Sequence, residues 1–241
     1  MIITDMTMND FAAGLEQSRT VFIPFGSTEE HGFHLPLATD TFQVYEVLKR
    51  VVERIAVFVA PPVHYGVCRS TANHSGTIGI SADTLRSLVK DLVGSFYRQG
   101  LRSFILISGH AGKTHMSALV EVGELLLELY GDIKIAVICE YDLAREVCRE
   151  EVETADDSHA GEIETSRILH SSPELVYGTS PAEYPDFPRF MLVRNKQSYW
   201  KNGVWGDPGK ATREKGKRYY QLVADRLVAF VQEMEQFKER H

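Results

Sequence analysis

Residues 21–55 read VFIPFGSTEEHGFHLPLATDTFQVYEVLKRVVERI. The run opens on Val21 to Gly26, whose apolar side chains predict a buried strand. It closes on Thr41 to Ile55, where Val44, Val47, Leu48, Val51, Val52 and Ile55 recur at the i, i+3, i+4, i+7 spacing of an amphipathic helix. Asp40 stands where a cap would sit. The rest of the chain repeats this strand–loop–helix unit. VFVAPPV (57–63), FILISG (104–109) and IKIAVICEY (133–141) read as strands, the first stopped by Pro61-Pro62. Residues 82–99, with Ser81 as cap, read as a helix, as do a segment ending near Tyr130 and one opening near Ala160 that holds Ile163, Ile168 and Leu169. The last helix runs over about 213–237 and buries Leu222, Val223, Leu227, Val228, Val231 and Met234. Such alternation predicts an α/β fold, a mostly parallel sheet with helices on both faces.

No repeat and no linker interrupts the 241 residues, which read as a single domain. The irregular part is 171–211, which holds five of the nine prolines, Pro173, Pro181, Pro185, Pro188 and Pro208. Two readings stand for it: a functional loop or lid, or a surface excursion packed on its own Tyr199, Trp200 and Trp205. With 44% hydrophobic and 24% charged residues the composition is that of a soluble globular chain. A net charge of −7 argues against a nucleic-acid partner, which calls for a basic face. Cys68, Cys139 and Cys148 are too few and too scattered for a disulfide framework or a cysteine-based zinc site. The N-terminus lacks a basic region followed by an apolar run, and no stretch of 18 apolar residues exists, so a cytoplasmic protein without membrane contact is expected. Asn73-His74-Ser75 fits a glycosylation sequon, a chance match in that setting.

Open α/β sheets bind ligands at the C-terminal ends of their strands. Three polar clusters fall at or after predicted strand ends: Gly26 to Pro36 with Asp40 beyond it, Ser108 to Gly112, and Ser158 to Glu164. Carboxylates with neutral imidazoles are ligand chemistry for zinc, manganese or iron. Glu29 and His31, two apart in extended chain, point to one side, and Asp40 can reach the same space. A carboxylate can bridge two metals ~3.5–4 Å apart. Taken singly, Asp40 is most simply a cap and Glu164 a first-turn acid favoured by the helix dipole. The shared ligand types at three strand ends favour a metal site.

At these residues the chain resembles the creatininase, or creatinine amidohydrolase, family. GSTEEHGFHLPLATD (26–40) is similar to its Gly-Ser-x-Glu-Gln-His-Gly-x-His-Leu-Pro signature followed by Thr-Asp. SGTI (75–78), SGHAGK (108–113), HAGEIETS (159–166) and GVWGDPGKATREKG (203–216) resemble four further family segments, in family order. The resemblance implies a three-layer α/β/α fold, two divalent metals per chain (Zn, Mn or Fe), and a homo-oligomer, often a hexamer. Carried over by position, Glu29, His31, Asp40 and His110 match metal ligands, with Asp40 bridging. Glu164 matches an acid that completes the set, and His159 the position associated with proton transfer. His34 matches a histidine that orients a ligand carboxylate. The chain departs where members that open creatinine carry an aromatic residue and a ligand Glu: here stand Ala111 and Gly112. Glu164 and Glu162 are the acids available to fill the gap. Lys113 replaces an Asn and offers a cation for a substrate carboxylate, phosphate or polyol, or else reaches to solvent. Glu30 replaces a Gln, and Ala155, four residues before His159, leaves the expected aromatic walls thin.

The resulting expectation is a metal-dependent hydrolase, distinct from true creatininase, that cleaves a C–N bond in a small non-peptide cyclic amide or formamide. A metal-activated water attacks and His159 protonates the leaving group, with Lys113, Glu162 and His34 contacting the small-molecule substrate. The alternative is C–C hydrolysis that opens a cyclic ketone derived from a sugar or inositol. A fold that kept its ligands and lost turnover is the remaining reading.

Overall fold

In the computed structural model, which describes residues 1–239, four parallel strands form one sheet in the order β2-β1-β3-β4. They are β1 (Thr20–Phe25), β2 (Phe58–Val59), β3 (Ser103–Ser108) and β4 (Lys134–Cys139). Val21 pairs with Phe104 in register, and Phe104 with Ile135. The period of two along β1 and β3 splits the core. Val21, Ile23, Phe25, Phe104 and Leu106 face one layer of helices; Phe22, Ile105 and Ile107 face the other. The first layer is α1 (Met8–Leu15), α3 (Ala82–Arg98) and α4 (Lys113–Leu129). The second holds α2 (Thr39–Val52), α5 (Glu140–Val147) and α7 (Arg213–Gln236), with α6 (Glu162–Ser171) packed on α2 and α7. The sandwich is the three-layer α/β/α arrangement. Leu85, Leu101, Leu119 and Leu227 are fully buried, so truncating any of them to Ala costs ~2–5 kcal/mol.

Local differences from the sequence reading have physical causes. The strand over 57–63 contracts to Phe58–Val59, because Pro61 and Pro62 carry no N–H. Ala60 and Val63 still donate to the carbonyls of Phe22 and Pro24, so the segment follows β1 to its end. Ser81 caps α3 through its hydroxyl, which accepts the Thr84 N–H. Asp40, read as a cap, instead lies inside the first turn of α2, which starts at Thr39 after an uncapped Ala38. The helix α5 begins directly after β4, so the strand pattern over 133–141 hid its first turn.

The start of α6 is held from a distance. The Asp157 carboxylate accepts the N–H groups of Glu162 (2.6 Å) and Ile163 (3.1 Å) and the Tyr141 hydroxyl (2.8 Å). One turn on, Arg167 forms a two-pronged pair with Glu140 at the head of α5, both fully buried. Removing one partner would strand the other charge, at a cost of ~3–5 kcal/mol. Gly216 of α7 lies against the Ser166 backbone so closely that a Cβ would collide with it, and Thr212 donates its N–H to the Ser166 hydroxyl.

Candidate metal centre

Both central strands end in glycine for the same reason. A Cβ on Gly26 would strike the backbone of Thr41, and one on Gly109 the carbonyl of Asp40. These two glycines let the first turn of α2 sit across the ends of β1 and β3, which drops Asp40 between the loops that follow. Its two oxygens then face two different imidazoles: Oδ1 lies 3.1 Å from His31 Nε2 and Oδ2 3.0 Å from His110 Nδ1. Glu29 Oε2 is 2.8 Å from His110 Nδ1, and Glu164 Oε2 is 3.7 Å from His31 Nε2. Two half-sites share one carboxylate, one built on Glu29 and His110, the other on His31 and Glu164. All five side chains are buried.

Hydrogen bonds from outside fix each group. His31 Nδ1 donates to the Glu29 carbonyl (3.0 Å), and His110 Nε2 to the Val67 carbonyl (3.4 Å). Each ring therefore turns its other nitrogen, with its lone pair, toward the carboxylates. The Ser27 hydroxyl donates to Asp40 (2.6 Å), the Thr71 hydroxyl to Glu29, and Gln43 Nε2 to Glu164 (3.1 Å). The Ala160 N–H donates to the other Glu164 oxygen (2.6 Å).

Three buried carboxylates facing two imidazole lone pairs call for cations. Among the described residues, Glu29, Asp40 and Glu164 have no Lys or Arg partner; their charged neighbours are histidines. Burial opposes ionisation throughout, yet the carboxylates prevail, and the pKa values of His31 and His110 rise well above the ordinary range. Conversely, burial raises Glu29, but His110 overrides it and holds the carboxyl at about 2. Asp40 is lowered well below its usual value against burial, mainly by His31 and His110. The same attraction would favour a divalent pair, and the donor set fits zinc, manganese or iron.

His159 overhangs this cluster. Its ring lies 4.3 Å from that of His31, and a ring nitrogen falls within 4.8 Å of ligand atoms on His31 and Glu164. Nε2 donates to the Glu30 carbonyl (2.8 Å), leaving Nδ1 without a hydrogen-bond partner among the described residues. Backbone pairing with Trp205 in both directions holds the residue down. Ala160, next in line, takes a left-handed φ of 49°, an uncommon conformation for a side-chain-bearing residue that signals a constrained turn. Burial and His31 press the His159 pKa down, but the Glu30 and Glu29 contacts outweigh them and it is raised.

The segment 171–211 meets the site. Trp200 is buried, packs edge-on against His159 at 5.1 Å and accepts from His74 through its carbonyl (2.6 Å). Trp205 stands 6.1 Å from Trp200. The segment supplies the aromatic wall that Ala155 does not. It also packs on itself, Phe187 against Tyr199 at 5.8 Å.

Three expected substrate contacts are placed differently. Glu162 turns away from the cluster and spends its carboxylate on the N–H groups of Glu153 and Thr154, on Lys215 (2.8 Å) and on Tyr219 (3.2 Å). It is buried against a lysine at a helix start. His34 touches no carboxylate: it bonds Ser180 (2.9 Å) and Thr165 (2.8 Å), tying the first loop to α6 and to the irregular segment. Lys113 opens α4 and is exposed, directly after the exposed Ala111 and the half-buried Gly112. Sequence reasoning missed Cys68, whose Sγ lies within 4.8 Å of ligand atoms on Glu29 and His110. It also missed Ser27, Thr71 and Gln43. Only Gln43 had a legible signal, three residues after Asp40 on the same helical face.

Comparison with known proteins shows the family and the fold. A family model described as creatinine amidohydrolase matches residues 4–231. The mycofactocin precursor peptide peptidase of Mycolicibacterium smegmatis is 32% identical over 83% of this chain and 79% of its own. Creatinine amidohydrolase of Pseudomonas putida is 26% identical over 97% and 96%, and a 3-dehydro-scyllo-inosose hydrolase of Thermotoga maritima 25% over 96% and 83%. A solved creatininase superposes with a TM-score of 0.85 at 24% identity, covering 98% of each chain. Two further creatininase structures, a mutant of Zn–Zn type and a Mn form, superpose at 0.84 and 0.80, each at 24% identity over 96% of this chain and 97% of the other.

Proposed function

The chain belongs to the creatininase family, and from that premise we propose that this hydrolase cleaves an amide-type C–N bond by adding water, and that its site would hold two divalent ions. The observation that carries the reading is Asp40, whose two oxygens face one imidazole each across a buried set of carboxylates that, among the described residues, has no Lys or Arg partner. Glu29, His110 and one Asp40 oxygen would hold one ion; His31, Glu164 and the other oxygen the second. Glu164 thereby takes the place left by the missing acid at Gly112. The bound pair supplies a nucleophile at neutral pH and polarises the scissile carbonyl.

The chain's own residues do the rest. Ser27, Thr71 and Gln43 hold the carboxylates in one orientation. His159, fixed at Nε2 by the Glu30 carbonyl, presents Nδ1 as the proton donor to the leaving nitrogen. Trp200 and Trp205, carried by a lid over 171–211, wall off water from that transfer. Lys113 waits at the rim for an anionic or polyol part of the substrate. No serine or cysteine nucleophile is needed.

The substrate is read as a small amide or formamide. A second reading, a peptide bond, is favoured by the peptidase relative at 32% identity, which weakens the restriction to non-peptide substrates made from sequence. Opening of a cyclic ketone stands behind both, on the Thermotoga maritima relative. A homo-oligomer is supported by Phe190, Met191 and Leu192, exposed at 90%, 69% and 99%. No helix among the described residues is long and apolar enough to cross a membrane.

The test measures metal content and turnover together on a panel of cyclic amides, formamides, short peptides and cyclic ketones. Two ions per chain and chelator-sensitive hydrolysis of a C–N bond are expected. Turnover that survives complete metal removal would overturn the proposal.

A further inference from the structure

We propose that Cys68 is a protein ligand to the ion held by Glu29 and His110, so that the two metal positions differ in softness. The inference rests on the metal-centre reading above and deepens it. Cys68 is 5% exposed, and its Sγ, a carboxylate oxygen of Glu29 and a ring nitrogen of His110 all lie within 4.8 Å of one another. Ligands at the usual 2.0–2.3 Å from one ion sit about that far apart or closer.

The backbone leaves the thiol little freedom. Val67, the preceding residue, accepts from His110 Nε2 through its carbonyl and donates its N–H to His115 Nδ1 (3.2 Å). Gly66 runs against the Gly26 carbonyl and the His110 ring, and Gly79 against the amide of Cys68. The segment is threaded between the ends of β1 and β3, and the same bond that sets the His110 tautomer brings the sulfur beside the ring.

A buried cysteine usually acts as a small apolar filler. Here the sulfur stands beside the Glu29 carboxylate and the His110 imidazole, polar groups that a filler role does not call for. As a ligand the thiol loses its proton to solvent as the sulfur–metal bond forms. A thiolate favours zinc and cobalt over manganese. The second position, with His31, Glu164 and Asp40, has nitrogen and oxygen donors only and lacks that preference. The chain would therefore hold a thiophilic ion at one position and tolerate a harder one at the other.

Cobalt reconstitution of the metal-free full chain tests this. The wild type should show visible d–d bands and, from one position, an intense thiolate-to-cobalt band in the near ultraviolet. C68S should keep the d–d bands and lose the near-ultraviolet band. Its zinc affinity at one position should fall at least about tenfold, the lower end of what even an indirect ligand partner contributes, with manganese affinity unchanged. C139S and C148S should keep the band. Thermal melting checks that C68S folds, and the wild-type spectrum needs no variant. Visible bands without the near-ultraviolet band in the wild type overturn the role of Cys68 and leave the metal centre standing. A folded wild type that takes up no cobalt overturns both.

Discussion

His159 is where ligand, proton donor and structural prop can be told apart by substitution. Its Nε2 is committed to the Glu30 carbonyl, and its backbone is pinned by Trp205, so a glutamine would keep the fold. We expect His159→Gln to retain metal and melting temperature while turnover falls by ~10²–10⁴, the usual worth of a placed acid or base. Loss of metal would make it a ligand; full activity would remove it from the reaction. His115 illustrates the opposite role. Burial, then the nearby His110, lowers its pKa to about 3, so it is neutral in the fold while the unfolded chain titrates near ~6.5. The unfolded state therefore takes the proton first. The contribution of this group to stability is whole above ~6.5 and is lost as the pH falls toward 3. His115→Gln, which still offers an acceptor to the Val67 N–H, should flatten the decline of melting temperature between about pH 6.5 and 4.5. Acid release of metal from other histidines is common to both proteins and cancels. Identical slopes would sink the argument.

The metal centre owes its geometry to how α2 meets the sheet. With Gly109 replaced by alanine, the new methyl meets the Asp40 carbonyl, and the helix start must rise off the strand ends. Overpacking of this kind costs ~1–3 kcal/mol. Because Asp40 serves both half-sites, Gly109→Ala should lower metal content at both positions together, measured on folded protein. Normal loading would mean that Asp40 is not positioned this way. Elements with a clear hydrophobic period were readable in the sequence: the edges of β1, α3 and α7 fall within two residues of the pattern. Those set by contact were not. The first turn of α5 was hidden by continuous β-like sequence, and β2 is short because two prolines interrupt its ladder. The cluster of Glu29, His31, Asp40, His110 and Glu164 was legible from strand-end position and family likeness. Cys68 was not, because its partners lie 39 and 42 residues away and only the threading of the 66–68 segment joins them.

Across the whole molecule, the substrate question turns on what stands beside Lys113. Ala111 and Gly112 offer no bulky side chain there, where the family resemblance implies an aromatic ring and an acid. Trp200 and Trp205 keep the opposite wall closed. A small flat ring would touch one side only, whereas a longer polar substrate would reach the lysine. Creatinine should therefore be a poor substrate, with kcat/KM below ~10⁴ M⁻¹s⁻¹, the low end for enzymes on their own substrates. Steady-state rates on creatinine with the metal-loaded protein decide this, and a value in the ordinary range would refute it.

The seating of Gly216 on the Ser166 backbone has a consequence for how the protein is made. Translation delivers Glu29, Asp40, Cys68 and His110 before Glu164. Glu164 arrives later, on a short helix whose packing is completed when α7 docks against it. On the proposed assignment, a ribosome-bound chain would carry the residues of one ion position before those of the other. Chains stalled before residue 213 should take up one equivalent of zinc, and chains stalled after α7 has cleared the exit tunnel should take up two. Equal uptake by both would show that α6 finds its place unaided.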